Sequence, residues 1–165
     1  MRSAVYPGSF DPVTLGHLDV VERATAVFDR LVVAVLANPR KQPLLPLDER
    51  LALLRAALAG LPADRAARVE VASFDGLTVD ACRAHGAASI VRGLRVVSDF
   101  ELELQLAHNN RRLAPGIDTV FLMTSLEHAY VSSTLVREIA SFGGDVSGMV
   151  PPAVVEALGR RFPRR

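Results

Sequence analysis

Apolar positions along this chain follow two alternating patterns. Short runs are apolar at nearly every residue. Longer stretches place apolar side chains three or four residues apart. The first pattern marks strands buried on both faces, and the second marks amphipathic helices. Strands are expected at Ser3–Tyr6, Leu31–Ala37, Val69–Phe74, Ala88–Val91 and Thr119–Met123. A helix is expected over Thr14–Phe28, where Leu18, Val21, Ala24 and Phe28 share one face. Others are expected over Leu47–Leu58, closed by Gly60, and Leu77–His85, closed by Gly86. Ser98-x-x-Glu101 has the form of a capping box and is expected to open a helix running to about Leu113. Ser132 or Ser133 is placed to cap a helix through Phe142, ended by Gly143-Gly144, and Pro151-Pro152 to open a last one. Asn38–Pro46 is punctuated by prolines and reads as a loop, and the tail from Arg160 reads as frayed.

Five strands alternating with helices imply an α/β fold, a Rossmann-like doubly wound parallel sheet with helices on both faces. No repeat or linker interrupts the pattern, so one domain over 1–165 is expected. Such sheets bind ligands beyond the carboxyl ends of the strands, where the winding changes direction. Three chemically loaded segments fall at strand ends here: Tyr6–His17, Arg92–Arg95 and Thr124–Arg137.

Charge and composition narrow the partners. The 19 basic residues balance 18 acidic ones, which gives no reason to expect a polyanion or a membrane surface. Aromatics make up 5% and tryptophan is absent, which weakens any base-stacking role on nucleic acid. Cys82 is the one cysteine, so no disulfide forms within the chain and a reducing compartment suits it; its expected role is a small buried hydrophobe on a helix. Asp11, His17, Asp19 and Glu22 interrupt any leader-like apolar segment, and no apolar run reaches the roughly 20 residues of a membrane span. A cytoplasmic location is the resulting expectation. Lys41 is the only lysine among the basic residues, and it stands in the proline-flanked loop after the second strand.

The familiar phosphate and nucleophile motifs are missing. Neither G-x-x-x-x-G-K-[ST] nor G-x-G-x-x-G occurs, G-x-S-x-G is absent, and the four histidines have no zinc spacing. The opening segment receives anions differently. Gly8 is expected to let the backbone approach a ligand, Ser9 offers a hydroxyl, and His17 lies in the first helical turn. The positive helix end favours a neutral imidazole there, which still donates through one N–H to a developing charge. Arg92 and Arg95 straddle Gly93 just past the fourth strand, as a phosphate fork or as partners of Asp99 or Glu101. Ser132, Ser133 and Thr134 bring three hydroxyls to one helix start; one suffices as a cap, and Arg137 follows as a counter-charge or a partner of Glu138.

Thr14-Leu15-Gly16-His17 together with Val131-Ser132-Ser133-Thr134-Leu135-Val136-Arg137 resembles the paired signatures of the (H/T)-x-G-H nucleotidyltransferase superfamily. Tyr6–Pro12, Arg92–Arg95, Asp99–Glu103 and Gln105–Asn109 make the chain look like the bacterial phosphopantetheine adenylyltransferases, from about residue 3 to 160. Sister families acting on nicotinate mononucleotide or glycerol 3-phosphate usually carry a histidine where Thr14 stands, and a non-catalytic nucleotide sensor has no need of Lys41 and Arg92 together. The resemblance implies adenylyl transfer from ATP to 4′-phosphopantetheine with Mg²⁺, giving 3′-dephospho-CoA and pyrophosphate. It implies that His17 and Ser9 act at the α-phosphate and that Ser9 and Phe10 contact ATP. It places the substrate phosphate on Lys41 and Arg92, the pantetheine arm near Thr78, and ATP on Gly93, Leu94, Arg95, Glu103 and the loop His128, Ala129, Tyr130, Val131, Ser132, Ser133 and Thr134. It also implies a homohexamer, feedback inhibition by coenzyme A, and a metal held mainly by substrate phosphates. Ser9 stands where the family commonly has threonine, Thr78 where it has an apolar residue, and His128 where it often has an aromatic.

Overall fold

The computed structural model describes residues 1–37 and 42–163, so Lys41 lies outside the described residues. Five strands are present: β1 (Ser3–Gly8), β2 (Arg30–Leu36), β3 (Val69–Phe74), β4 (Ser89–Leu94) and β5 (Asp118–Met123). Between and after them run α1 (Leu15–Val27), α2 (Leu47–Leu58), α3 (Ala63–Ala66), α4 (Thr78–Ala84), α5 (Val97–Leu113), α6 (Ser133–Ser141) and α7 (Pro152–Arg161). All pairings are parallel and the strand order is β3-β2-β1-β4-β5. The chain therefore winds outward from β1 in both directions, and the switch point lies between β1 and β4.

Period-two alternation in the central strands separates two cores. Ala4 and Tyr6 of β1, with Leu31, Val33 and Val35 of β2, pack against Val20, Val21 and Ala24 of α1 and against α2, α6 and α7. Val5, Val32 and Ala34 point the other way, onto Val79 and Cys82 of α4 and the Ala114–Ile117 turn. Because β1 and β2 are apolar on both faces, they take the centre of the sheet.

The ladder between β1 and β4 is short, pairing Ala4 with Ser89 and Val5 with Ile90. By contrast β1 pairs with β2 as far as Gly8, and β4 with β5 as far as Leu94. Pro7 has no N–H to continue toward β4. A crevice thus opens between the carboxyl ends of the two central strands.

Four sequence expectations change, the first being that α7 runs on through Arg160 and Arg161, which the sequence reads as the start of a frayed tail. β4 runs on through Arg92 and Gly93, so these two lie in the strand rather than after it. Ser98 does not cap α5: extended Val96 (φ −137°, ψ 161°) holds that position without a side-chain bond, and the helix begins at Val97. The single-turn helix α3 was not anticipated, because four residues show no period. Among the described residues no helix is long and apolar enough to cross a membrane.

Candidate active site

A cleft of about 520 Å³ lies at the switch point. The turn after β1 and the start of α1 form one wall, Arg92, Gly93 and Arg95 with Glu103 of α5 the second, and Val131–Thr134 at the head of α6 the third.

In the first wall Phe10 adopts φ +44°, a left-handed conformation rare for an aromatic residue. Its ring is buried and meets Tyr6 edge-on at 5.4 Å and His17 at 5.0 Å between centroids. A Cβ on Gly8 would come within 2.9 Å of that ring. Gly8 is therefore required by Phe10, in addition to any approach of a ligand, and Phe10 itself lines the cleft while almost fully buried. Ser9 is exposed at the rim. Its carbonyl accepts from Arg50, a buried arginine that also donates to the carbonyls of Leu36 and Leu45. Asp11, also buried, accepts from the N–H groups of Leu44 and Leu45. These two side chains tie the β1 turn to both ends of the loop after β2.

Thr14 and His17 form a capping box. The Thr14 Oγ1 accepts from the His17 N–H at 3.3 Å, and the Thr14 N–H donates to His17 Nδ1 at 3.0 Å. Nδ1 must keep its lone pair for this bond, so the neutral ring carries its proton on Nε2. Burial, with Arg95 and Arg92 nearby, lowers the His17 pKa to about 4. A neutral Nε2–H donor at the cleft is the consequence. The α1 N-terminus is less open than its sequence suggests, because the Leu15 N–H is taken by the Met149 carbonyl at 2.9 Å. Among the described residues the Gly16 N–H has no such partner.

Arg92 is gripped by Glu103, with Nε to Oε2 at 2.6 Å and a second bond from Nη2 to Oε1, and its Nη1 donates to the Pro7 carbonyl at 3.0 Å. The guanidinium thus bridges the crevice where the β1–β4 ladder has ended. Arg95 makes the sequence's alternative pairing: it binds Asp99 at 3.1 Å and the Val131 carbonyl at 3.0 Å. Gly93 is forced by packing, since a Cβ there would lie 2.7 Å from Val20 Cγ2.

The three hydroxyls of α6 have separate tasks. Ser132 is the cap, accepting from the Leu135 N–H at 3.1 Å. Ser133 donates to the Pro12 carbonyl at 2.8 Å, and Thr134 lies 3.4 Å from Arg137. Arg137 pairs with Asp11 at 3.0 Å rather than with Glu138. The helix head is thereby locked onto the β1 turn, with its dipole directed at the cleft.

Other expected site residues lie elsewhere. Leu94 and Ala129 are buried side chains, Tyr130 is 81% exposed, and neither these nor His128 lines the cleft. Among the described residues the buried Nδ1 of His128 has no partner, and its Nε2 lies 3.6 Å from Glu127. Thr78 lines a smaller cavity of about 200 Å³, which shares Pro7, Arg92 and Glu103 with the main cleft. Asp11, Arg50 and Val20 were missed from the sequence as site residues. Arg50 did leave a signal: it interrupts the apolar face of α2 formed by Leu47, Leu54 and Leu58. Asp11 had none, its partners being 33 or more residues away. Among the described residues no group of three His, Cys, Asp or Glu could hold a metal ion, and the cleft carboxylates Asp11, Asp99 and Glu103 are each engaged by arginine.

Known proteins resemble this chain over nearly its full length. The sequence profile of the cytidylyltransferase-like family matches residues 5–139. A phosphopantetheine adenylyltransferase of Anaeromyxobacter dehalogenans is 54% identical, covering 99% of this chain and 96% of the relative. Another from Alkalilimnicola ehrlichii is 56% identical, covering 96% and 90%. A solved structure from Vibrio parahaemolyticus, described as a nicotinate-nucleotide adenylyltransferase, superposes with a TM-score of 0.67 over 97% of this chain and 93% of its own; at 18% identity it shares the fold.

Proposed function

We infer the activity from one premise: the chain belongs to the cytidylyltransferase-like family and, within it, to the phosphopantetheine adenylyltransferases. It transfers the adenylyl group of ATP to 4′-phosphopantetheine, giving 3′-dephospho-CoA and pyrophosphate, the penultimate step of coenzyme A biosynthesis.

The cleft fits this chemistry. The nucleophile is a phosphate monoester with a second pKa near 6, so at neutral pH it is mostly a dianion. It attacks the α-phosphorus, and the bond to the bridging oxygen of pyrophosphate breaks. No proton has to be removed, which agrees with a site whose carboxylates are all committed to arginines. Positioning and charge neutralisation remain for the protein to supply. The observation that carries the reading is the state of His17: a neutral ring, Nδ1 held by Thr14, leaving the Nε2–H to meet charge growing on an α-phosphate oxygen.

We assign the remaining roles on the same basis. Arg92, together with Lys41, receives the substrate phosphate, and the cavity beside Thr78 takes the pantetheine arm. Ser9, Phe10, Gly93, Arg95 and Ser132–Thr134, which line the cleft, face ATP. Glu103 orients Arg92 and borders the nucleotide. The family's chemistry uses a divalent metal, and Mg²⁺ would fit here with phosphate and water oxygens as its ligands, since among the described residues the cleft offers it no uncommitted carboxylate. Bound there, it would neutralise phosphate charge. Association into a homohexamer is favoured by exposed apolar side chains along α5, among them Val97, Leu102 and Leu113. Coenzyme A, which shares the pantetheine arm, is expected to compete for the cleft. One domain is supported by the single sheet between its two cores, and a cytoplasmic location by the thiol-compatible composition.

Pyrophosphate release from ATP, measured with and without 4′-phosphopantetheine, tests the activity. Release that depends on this substrate and not on nicotinate mononucleotide is expected, and the reverse preference would overturn it. Lys41→Ala should raise the apparent KM for phosphopantetheine more than that for ATP; equal effects would reject its placement.

A further inference from the structure

We propose that Asp19 is a positioning residue: through Ser125 it sets the loop between β5 and α6 relative to His17, and so sets the affinity for ATP. The proposal rests on the reading that the cleft binds ATP. Asp19 lies two residues beyond His17 on α1. Its carboxylate accepts from the Ser125 N–H at 2.8 Å and from the Ser125 Oγ at 2.5 Å. Arg23, one turn later on α1, donates to both Asp19 oxygens at 3.2 and 3.1 Å and to the Ser125 Oγ at 3.0 Å. Three side chains from positions 106 residues apart in sequence thus close a ring.

The ring belongs to neither core cluster. What it holds is Ser125, the second residue of the loop after β5. The Ser125 carbonyl accepts from the His128 N–H at 3.0 Å, the His128 carbonyl from the Val131 N–H at 3.1 Å, and the Val131 carbonyl from Arg95 at 3.0 Å. Val131 leads directly into Ser132–Thr134 at the cleft. A continuous run of hydrogen bonds therefore joins the helix that carries His17 to the opposite wall. Burial opposes the Asp19 charge, yet the bonds from Ser125 and Arg23 outweigh it and hold the carboxyl below its ordinary range. A carboxylate, with two acceptor oxygens, can serve the amide, the hydroxyl and the guanidinium together.

Calorimetric titration of the full chain with MgATP, and separately with 4′-phosphopantetheine, tests this. Bonds to an ionised acceptor of this kind correspond to about a tenfold change in affinity. Asp19→Ala is expected to weaken ATP about tenfold while phosphopantetheine binding stays within about twofold. Asp19→Asn, which keeps one acceptor oxygen, should recover part of the loss. ATP affinity unchanged in Asp19→Ala, or both ligands weakened alike, would overturn the proposal. Should Asp19→Ala fail to fold, Ser125→Ala keeps the backbone bond and removes the hydroxyl; it should weaken ATP in the same direction, and an unchanged value is again fatal. A wild-type chain that does not bind ATP would overturn the reading of the cleft itself, a result distinct from any of these.

Discussion

Acidification should expose the constraint on His17. Below its ordinary pKa of 6.5 a histidine takes up a proton, but here the value is lowered to about 4, by burial first and then by Arg95 and Arg92. The bond from the Thr14 N–H supplies the stereochemical reason. Protonated Nδ1 would set two N–H groups against each other, and the capping box would be lost. In the unfolded chain none of this applies. Between pH 6.5 and 4 the unfolded state therefore binds a proton that the native state refuses, and native stability falls as pH falls. The gap between 6.5 and about 4 corresponds to about 3 kcal/mol, present above pH 6.5 and lost as the pH drops to 4. His17→Gln retains an acceptor for the Thr14 N–H without a titrating ring. Urea denaturation of both proteins from pH 7.5 to 4 should show wild-type stability declining relative to the variant by that amount. Nitrogen-15 NMR of the imidazole in the native protein should show the Nε2–H tautomer and an inflection near 4. An inflection near 6.5, or a proton on Nδ1, would refute both the capping geometry and the neutral-donor role.

Three further outcomes test the scaffold. Arg50→Leu removes the partner of three carbonyls and should cost about 3 kcal/mol by urea denaturation; a change below about 1 kcal/mol would mean that water replaces the guanidinium. Gly93→Ala pushes a Cβ to 2.7 Å from Val20 and should cost about 1–3 kcal/mol, relieved in part by adding Val20→Ala, with additivity in the double variant arguing against that clash. Cys82 is buried and its thiol is raised by burial to about 11, so a disulfide reagent at pH 8 should modify it only as the chain unfolds; rapid reaction in the native protein would contradict this.

Much of the site is legible in local sequence. His17, Arg92, Gly93, Arg95 and the Ser132–Thr134 run stand at strand ends or helix starts, where local pattern and chemistry coincide, and all face one cleft. The expected cap at Ser98 failed for a local reason of a different kind. Val96 is already extended, and the Asp99 N–H bonds to its carbonyl at 3.1 Å, so the helix starts one residue before the serine. No local pattern assigns Glu103 a role; its bidentate hold on Arg92 joins β4 to α5.

The five strands, the helices longer than one turn, their parallel alternation and the residue types at each strand end are all legible in the linear pattern. These depend on period and on neighbours a few residues apart, which a linear pattern records. Folding alone sets which nitrogen of His17 carries the proton, which acid holds each arginine, and why a side chain at Gly8 or Gly93 would clash. Those depend on Phe10 folding back under Gly8, on Val20 pressing against β4, and on Asp11 reaching Arg137 across 126 residues. Contacts between residues so far apart in the chain leave no periodic trace. They form when the two halves of the sheet separate beyond Val5 and Ile90 and the side chains around the gap take up each other's hydrogen bonds.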